Sequence, residues 1–193
     1  MQGLYALKPW YTRRLGSIVD AAVVRGISPD TFTVVGVLGA IGAALATVWG
    51  WWPAVAALLA VRLAGANLDG AVARARGVSR PWGFVLNELG DRASDLVMFA
   101  GLALLAARTG GPVLWVLVAA LAATLPTFVS LAGVGAGAAR RNGGPFGKTE
   151  RCLAVVVAAA IPAVIGWVCA VVVVGSVLTA LTRLVGVRRE LVA

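Results

Sequence analysis

Long uncharged stretches alternate along this chain with short polar turns, and the stretches have the length of membrane spans. Residues 31–50 carry no charge and predict one spanning helix. Gly50-Trp51-Trp52-Pro53 predicts a turn with aromatic anchors at a membrane interface. Residues 54–75 span back and include Arg62 and Asp69. After a basic loop at 76–81, residues 83–107 form a third span holding Asn87, Glu88, Asp91, Arg92 and Asp95. A turn at 108–112 leads to a fourth span, 113–139, and then to a polar, glycine-rich loop, 140–151. Residues 152–182 are uncharged and too long for one span of about 20 residues. With their flanks, 148–188 hold two helices joined by a tight turn near residues 162–166. At the start, Leu4, Leu7, Trp10, Tyr11, Leu15, Ile18, Val19 and Ala22 recur at helical spacing among basic residues. That pattern predicts an amphipathic helix lying on the membrane surface. Ser28-Pro29-Asp30 is a helix break and restart.

Composition agrees with this reading. Of 193 residues, 60% are apolar and only 13% charged, and mean hydropathy is +0.92. A soluble domain is roughly 45–50% apolar and about 25% charged, so a separate soluble catalytic domain is excluded. The expected fold is all-α and integral to the membrane, one domain over 1–193. Residues 1–28 form the interfacial helix and 29–193 a bundle of six transmembrane helices. Seventeen Lys and Arg against eight Asp and Glu give a net charge of +9. In a soluble chain that balance suggests nucleic acid; here it reads as basic residues collected in cytoplasmic loops, with no nucleic-acid partner. Five spans would strand Arg183, Arg188 and Arg189 outside. Six return them to the cytoplasm, place both termini there, and leave Arg108 as the one outer basic residue. The expectation is a multi-pass protein of the cell membrane. The absence of histidine excludes histidine-based catalysis and zinc–histidine sites, and Cys152 and Cys169 show no metal-binding or disulfide spacing.

Ionisable residues inside spans are costly and mark function. Asn87, Asp91 and Asp95 recur at i, i+4 and i+8, on one helix face, and Arg62, Ala66, Asp69 and Ala73 share a face of the preceding span. At 1.5 Å per residue, Asp69 lies about 10 Å and Asp91 about 12 Å from the cytoplasmic loop; Arg62 and Asp95 lie deeper, at about 20 and 18 Å. The deeper two are expected to pair. The shallower set, Asp69, Asn87, Glu88 and Asp91, offers only oxygen ligands, which suit a hard divalent cation, Mg²⁺ or Mn²⁺.

Asp69-Gly70, Ala73-Arg74, Gly83, Asn87 and Asp91 resemble the CDP-alcohol phosphotransferase pattern D-x2-D-G-x2-A-R-x8-G-x3-D-x3-D over residues 66–91, with all spacings intact. Ile27-Ser28-Pro29-Asp30 and Gly147-Lys148-Thr149 are similar to flanking motifs of that family. Two positions depart: Ala66 and Asn87 stand where the pattern has aspartates that help hold two divalent ions. The resemblance implies transfer of a substituted phosphate group from a CDP-alcohol, of the CDP-diacylglycerol kind, to an acceptor hydroxyl, with release of CMP, in phospholipid biosynthesis. It implies Asp69, Asn87, Glu88 and Asp91 as metal ligands, with one ion the easier to hold, and Asp91 as the general base. Gly70, Ala73, Arg74 and Gly83 then receive the nucleotide. Arg140, Arg141 and Lys148 receive a phosphorylated acceptor, and the assembly is a homodimer among membrane lipids. Ala66 and Asn87 also leave open a degenerate, non-catalytic paralogue that binds nucleotide or lipid or partners an active enzyme. A small transporter is disfavoured, because the carboxylates sit nearer one face than mid-membrane.

Overall fold

A computed structural model of the chain describes residues 13–192; residues 1–12, with the first half of the expected interfacial helix, lie outside the described residues, as does Ala193. The described residues form seven α-helices and no strand: α1 (Gly16–Val24), α2 (Pro29–Val48), α3 (Trp52–Ala75), α4 (Pro81–Arg108), α5 (Val113–Gly135), α6 (Lys148–Ala160) and α7 (Ile165–Val192). A 3₁₀ turn, Pro162–Val164, separates the last two. Helices α2, α3, α5 and the segment Pro162–Val192 are long and apolar enough to cross a membrane. Helix α4 has the length, 28 residues, but carries Glu88, Asp91, Arg92 and Asp95. Helix α6 has only 13 residues, about 20 Å, against a hydrocarbon core of about 30 Å.

The chain divides into two compact units, described at 13–102 and 103–192. In the first, Ser28 is the N-cap of α2: its backbone is extended, its Oγ accepts from the Asp30 N–H at 3.4 Å, and Pro29 takes the first helical position. Helix α3 ends on a left-handed glycine, Gly77 (φ 63°). The Gly77 N–H donates to the Arg74 carbonyl at 3.1 Å and the Val78 N–H to the Ala73 carbonyl at 3.0 Å. This closure satisfies the last carbonyls and turns the chain sharply toward α4. Arg76 Nη1 donates to the carbonyls of Gly26 and Ile27, at 3.1 and 2.7 Å, and pins the α1–α2 link to the same turn.

Small residues let these helices approach closely. A Cβ on Gly65 would lie 2.5 Å from the Phe32 carbonyl oxygen and 2.8 Å from the Gly36 nitrogen, so α2 and α3 touch backbone to backbone. A Cβ on Gly101 of α4 would lie 2.6 Å from the Ala44 carbonyl oxygen of α2. In lipid, where apolar burial drives little association, such contact is a main source of helix attraction.

In the second unit α5 packs along α7. Helix α5 stops at Gly135, short of the expected Ala139. Gly137 adopts φ 96°, and the Ala138 N–H reaches back to the Gly133 carbonyl at 2.9 Å, closing the helix as at Gly77. The loop that follows is held to α7. Thr179 Oγ1 accepts from the Phe146 N–H at 2.9 Å, and Arg183 donates to the carbonyls of Pro126, Asn142 and Gly143 at 2.8–3.0 Å. Glu190 accepts from the Ala139 N–H at 2.6 Å and pairs with Arg141 at 2.7 Å.

Candidate functional site

The site lies within the first unit, where α2, α3 and α4 enclose a small open cavity of about 10 Å³. That is roughly the space one water-sized particle needs. Antiparallel pairing of α3 and α4 sets its walls. At one level Arg62 Nη2 meets Asp95 Oδ1 at 2.5 Å, with the two side chains 1% and 4% exposed. Arg92, one turn before Asp95 on α4, adds a contact to Oδ2 at 3.0 Å. Arg62 and Asp95 thus pair as expected.

One end of the cavity is built around Asp69, which is 5% exposed. Its Oδ2 accepts from Thr33 Oγ1 at 3.0 Å and from Asn87 Nδ2 at 2.5 Å, and its Oδ1 accepts from the Gly70 N–H at 2.5 Å. Asp91 and Ala66 also line the cavity. The register set by the Arg62–Asp95 and Asp69–Asn87 pairs puts Asp91 level with Ala66, about one turn deeper than Asp69. Sequence depth alone made Asp69 and Asp91 level; the direct neighbour of Asp69 across the helix pair is Asn87.

Of the four expected metal ligands, the structure gathers Asp69, Asn87 and Asp91 on one cavity. Glu88 is buried, 7% exposed, but it is not among the lining residues, since one residue step turns it about 100° around α4 from Asn87. Among the described residues no group of three or more acidic, Cys or His side chains could hold a metal, so a cation here would use two carboxylates and an amide oxygen. Gly70 leaves room for Arg74, one turn on: a Cβ at 70 would stand 3.2 Å from Arg74 Nη1. Ala73 is half-buried and Arg74 exposed at the end of the same helix. Gly83 is half-buried beside Arg80, which pairs with Asp30. Arg140, Arg141 and Lys148 belong to the other unit: Arg140 is exposed, Arg141 faces Glu190, and Lys148 opens α6. There the Glu150 carboxylate accepts from the Gly147 N–H at 2.8 Å and caps the helix start.

Thr33 and Ser94 line the cavity too, and sequence reasoning passed over both. The signal for Thr33 was the spacing Thr33, Gly36, Val37, Ala40, which marks one close-packed stripe of α2. Gly90, on α4, lets that stripe approach, since a Cβ there would lie 2.9 Å from Thr33 Cγ2.

Carboxylate, amide, hydroxyl and guanidinium groups gathered among largely apolar helices, two of them long and apolar enough to cross a membrane, define a class of helical protein that keeps polar chemistry between such helices. The comparisons make the class specific. Residues 26–184 match the family model for CDP-alcohol phosphatidyltransferase, and the chain belongs to that family. It is 33% identical over 113 residues to the phosphatidylinositol phosphate synthase of Cutibacterium acnes, covering 58% of this chain and 55% of that protein. The chain thus spans about half the length of that relative. It is 30% identical over 165 residues to the phosphatidylinositol phosphate synthase of Mycobacteroides abscessus, covering 82% of this chain and 73% of that one. Among solved structures, Mycobacterium tuberculosis phosphatidylinositol phosphate synthase with CDP-DAG bound superposes with a TM-score of 0.76 at 27% identity, over 91% of this chain and 94% of that one. The same enzyme in complex with manganese and citrate gives 0.75 at 26% identity, over 89% and 88%.

Proposed function

We propose that this chain is an integral-membrane transferase that moves the phosphatidyl group of CDP-diacylglycerol to the hydroxyl of a phosphorylated polyol, an inositol phosphate first among candidates, and releases CMP. The observation that carries the reading is the cavity in which Asp69, Asn87 and Asp91 converge beside Arg62. The two relatives, both phosphatidylinositol phosphate synthases, support the choice of acceptor. We assign six spans with both termini in the cytoplasm, α4 and the short α6 completing the four apolar helices, and a surface-lying helix ahead of them. This arrangement keeps the basic loops on one side. We keep a homodimer as the assembly.

The residues present fit a divalent cation, Mg²⁺ or Mn²⁺, held by Asp69, Asp91 and the Asn87 carbonyl oxygen: all are hard oxygen donors. When bound, such an ion neutralises charge on the diphosphate. The protein's own groups do the rest. Arg74, beside Gly70, takes a phosphate oxygen of the nucleotide, and Gly70, Ala73 and Gly83 keep the path to it open. Asp91 accepts the acceptor's hydroxyl proton as that oxygen attacks the β-phosphorus. The bond from β-phosphorus to the bridging oxygen breaks, and CMP leaves with the electron pair. Arg140 and Lys148 are assigned to the acceptor's phosphate, and Arg141, through Glu190, to holding the loop.

Ala66 and Asn87 favour a second reading, a decayed relative without chemistry. Purified protein with CDP-diacylglycerol, Mn²⁺ and labelled acceptors separates the two. The proposed reading expects CMP release that disappears in Asp69→Ala and Asp91→Asn. No CMP with any acceptor, inositol phosphate and glycerol phosphate included, selects the second.

A further inference from the structure

Asp69 is already satisfied by protein donors. A carboxylate offers about four lone-pair sites, and at least three hydrogen bonds reach Asp69, from Thr33, Asn87 and Gly70. The Asn87 amide donates directly across the gap between α3 and α4, which turns its carbonyl oxygen away from Asp69. A cation that uses both Asp69 and Asn87 must therefore break this bond and rotate the amide. The remaining wall offers little. Ala66 presents a methyl group, and the Arg62 guanidinium, paired with Asp95, donates no oxygen. Mg²⁺ demands six oxygens in near-octahedral array, and Asp69, Asp91 and Asn87 supply three donor groups. The missing oxygens must come from water or from the donor's diphosphate, and the cavity has room for about one particle.

We propose that Asn87 is a latch that makes cation binding depend on the donor: the site takes one divalent ion, and takes it together with the diphosphate rather than before it. The inference rests on the transferase reading above. The latch keeps the carboxylate hydrogen-bonded while the site is idle. The arriving diphosphate completes the coordination shell and makes rotation of the amide favourable.

The test is Mn²⁺ binding by the full-length protein in detergent, followed by electron paramagnetic resonance, with and without CDP-diacylglycerol and without acceptor. Donor-containing micelles lacking protein serve as the blank. The expected result is one Mn²⁺ per chain with donor, and at least tenfold weaker binding without it. Asn87→Asp removes the latch and adds an anion. It should raise donor-free Mn²⁺ affinity at least tenfold, and its melting temperature should climb with Mn²⁺ alone where that of the wild type does not. That second readout holds even where the variant is less stable. Tight donor-free binding by the wild type, two Mn²⁺ per chain, or an Asn87→Asp variant that behaves as wild type each overturn the latch and leave the transferase reading standing. No uptake in either condition overturns both.

Discussion

Asp95→Asn tests the helix register on which the site depends. The change keeps the side-chain shape and removes one charge from a pair whose side chains are 1% and 4% exposed. Arg92 loses the same partner, at 3.0 Å and 22% exposed. Removing one member of a buried pair costs about 3–5 kcal/mol, because the surviving charge stays desolvated. The asparagine carbonyl still accepts one hydrogen bond from Arg62, so the lower end of that range, about 3 kcal/mol, is expected. For a chain of this size each kcal/mol moves the melting temperature by about 2–4 °C, a fall of about 6–12 °C. Tryptophan fluorescence during thermal unfolding in detergent reads this directly. The double variant Arg62→Met/Asp95→Leu replaces the pair with apolar volume and should recover most of the loss. CMP release by Asp95→Asn below its melting point should fall less than tenfold, since the pair holds the helices rather than the substrate. A single variant melting within 2 °C of wild type, or a double variant no better than the single, refutes the reasoning.

Gly65→Ala forces a methyl against the Phe32 carbonyl and Gly36 backbone; overpacking of about 1–3 kcal/mol is expected in the same melts, whereas Gly135→Ala, with nothing within 4 Å, should leave the melting temperature unchanged. Thr179→Val strips the Phe146 N–H of its acceptor and should cost about 1–3 kcal/mol, with faster proteolytic cleavage in 136–147 as the second readout. Thr33→Val deletes one of the hydrogen bonds to Asp69, at a cost of about 1 kcal/mol, and should lower CMP release several-fold without moving the melt by more than a few degrees. Chelation with EDTA should stop CMP release, and added Mn²⁺ should restore it.

The elements and their order are legible in the sequence because spans, turns and anchors follow from hydropathy, and helical period alone puts Asn87 and Asp91 on one face. The deep pair is legible for a related reason. Two antiparallel helices joined by a short loop have a fixed depth scale, and a buried arginine needs the carboxylate found at its level. The rest depends on information that period and depth do not carry. Whether Glu88 or Asn87 faces Asp69 is a matter of rotation about α4, and one residue decides it. Thr33 enters the site because Gly36, Gly65 and Gly90 draw α2 against its neighbours, and a threonine in an apolar span gives no sign of that by composition. Arg141 reads as an anion-binding residue until its partner, Glu190, is found 49 positions away. The early stop of α5 depends on a backbone angle at Gly137 that a glycine-rich loop allows at several places.

Asp95 and Asp69, two buried carboxylates of α4 and α3, are stabilised by different means, and the difference separates scaffold from site. Asp95 is met by two guanidiniums, groups whose charge is permanent and whose geometry is fixed. Such a carboxylate has no reason to exchange partners, so it suits the level that sets register. Asp69 receives hydrogen bonds from a hydroxyl, an amide and a backbone N–H, three neutral donors. These stabilise the anion enough to bury it, yet leave its full negative charge available to a cation. The amide can turn to present its carbonyl oxygen instead. The sequence change from carboxylate to amide at 87 thus has a physical consequence beyond lost charge. An aspartate there would repel Asp69 until a cation arrived, whereas Asn87 holds it at 2.5 Å. That contrast predicts opposite responses to metal. The wild-type melting temperature should be insensitive to Mn²⁺ without donor, and that of Asn87→Asp should depend on it.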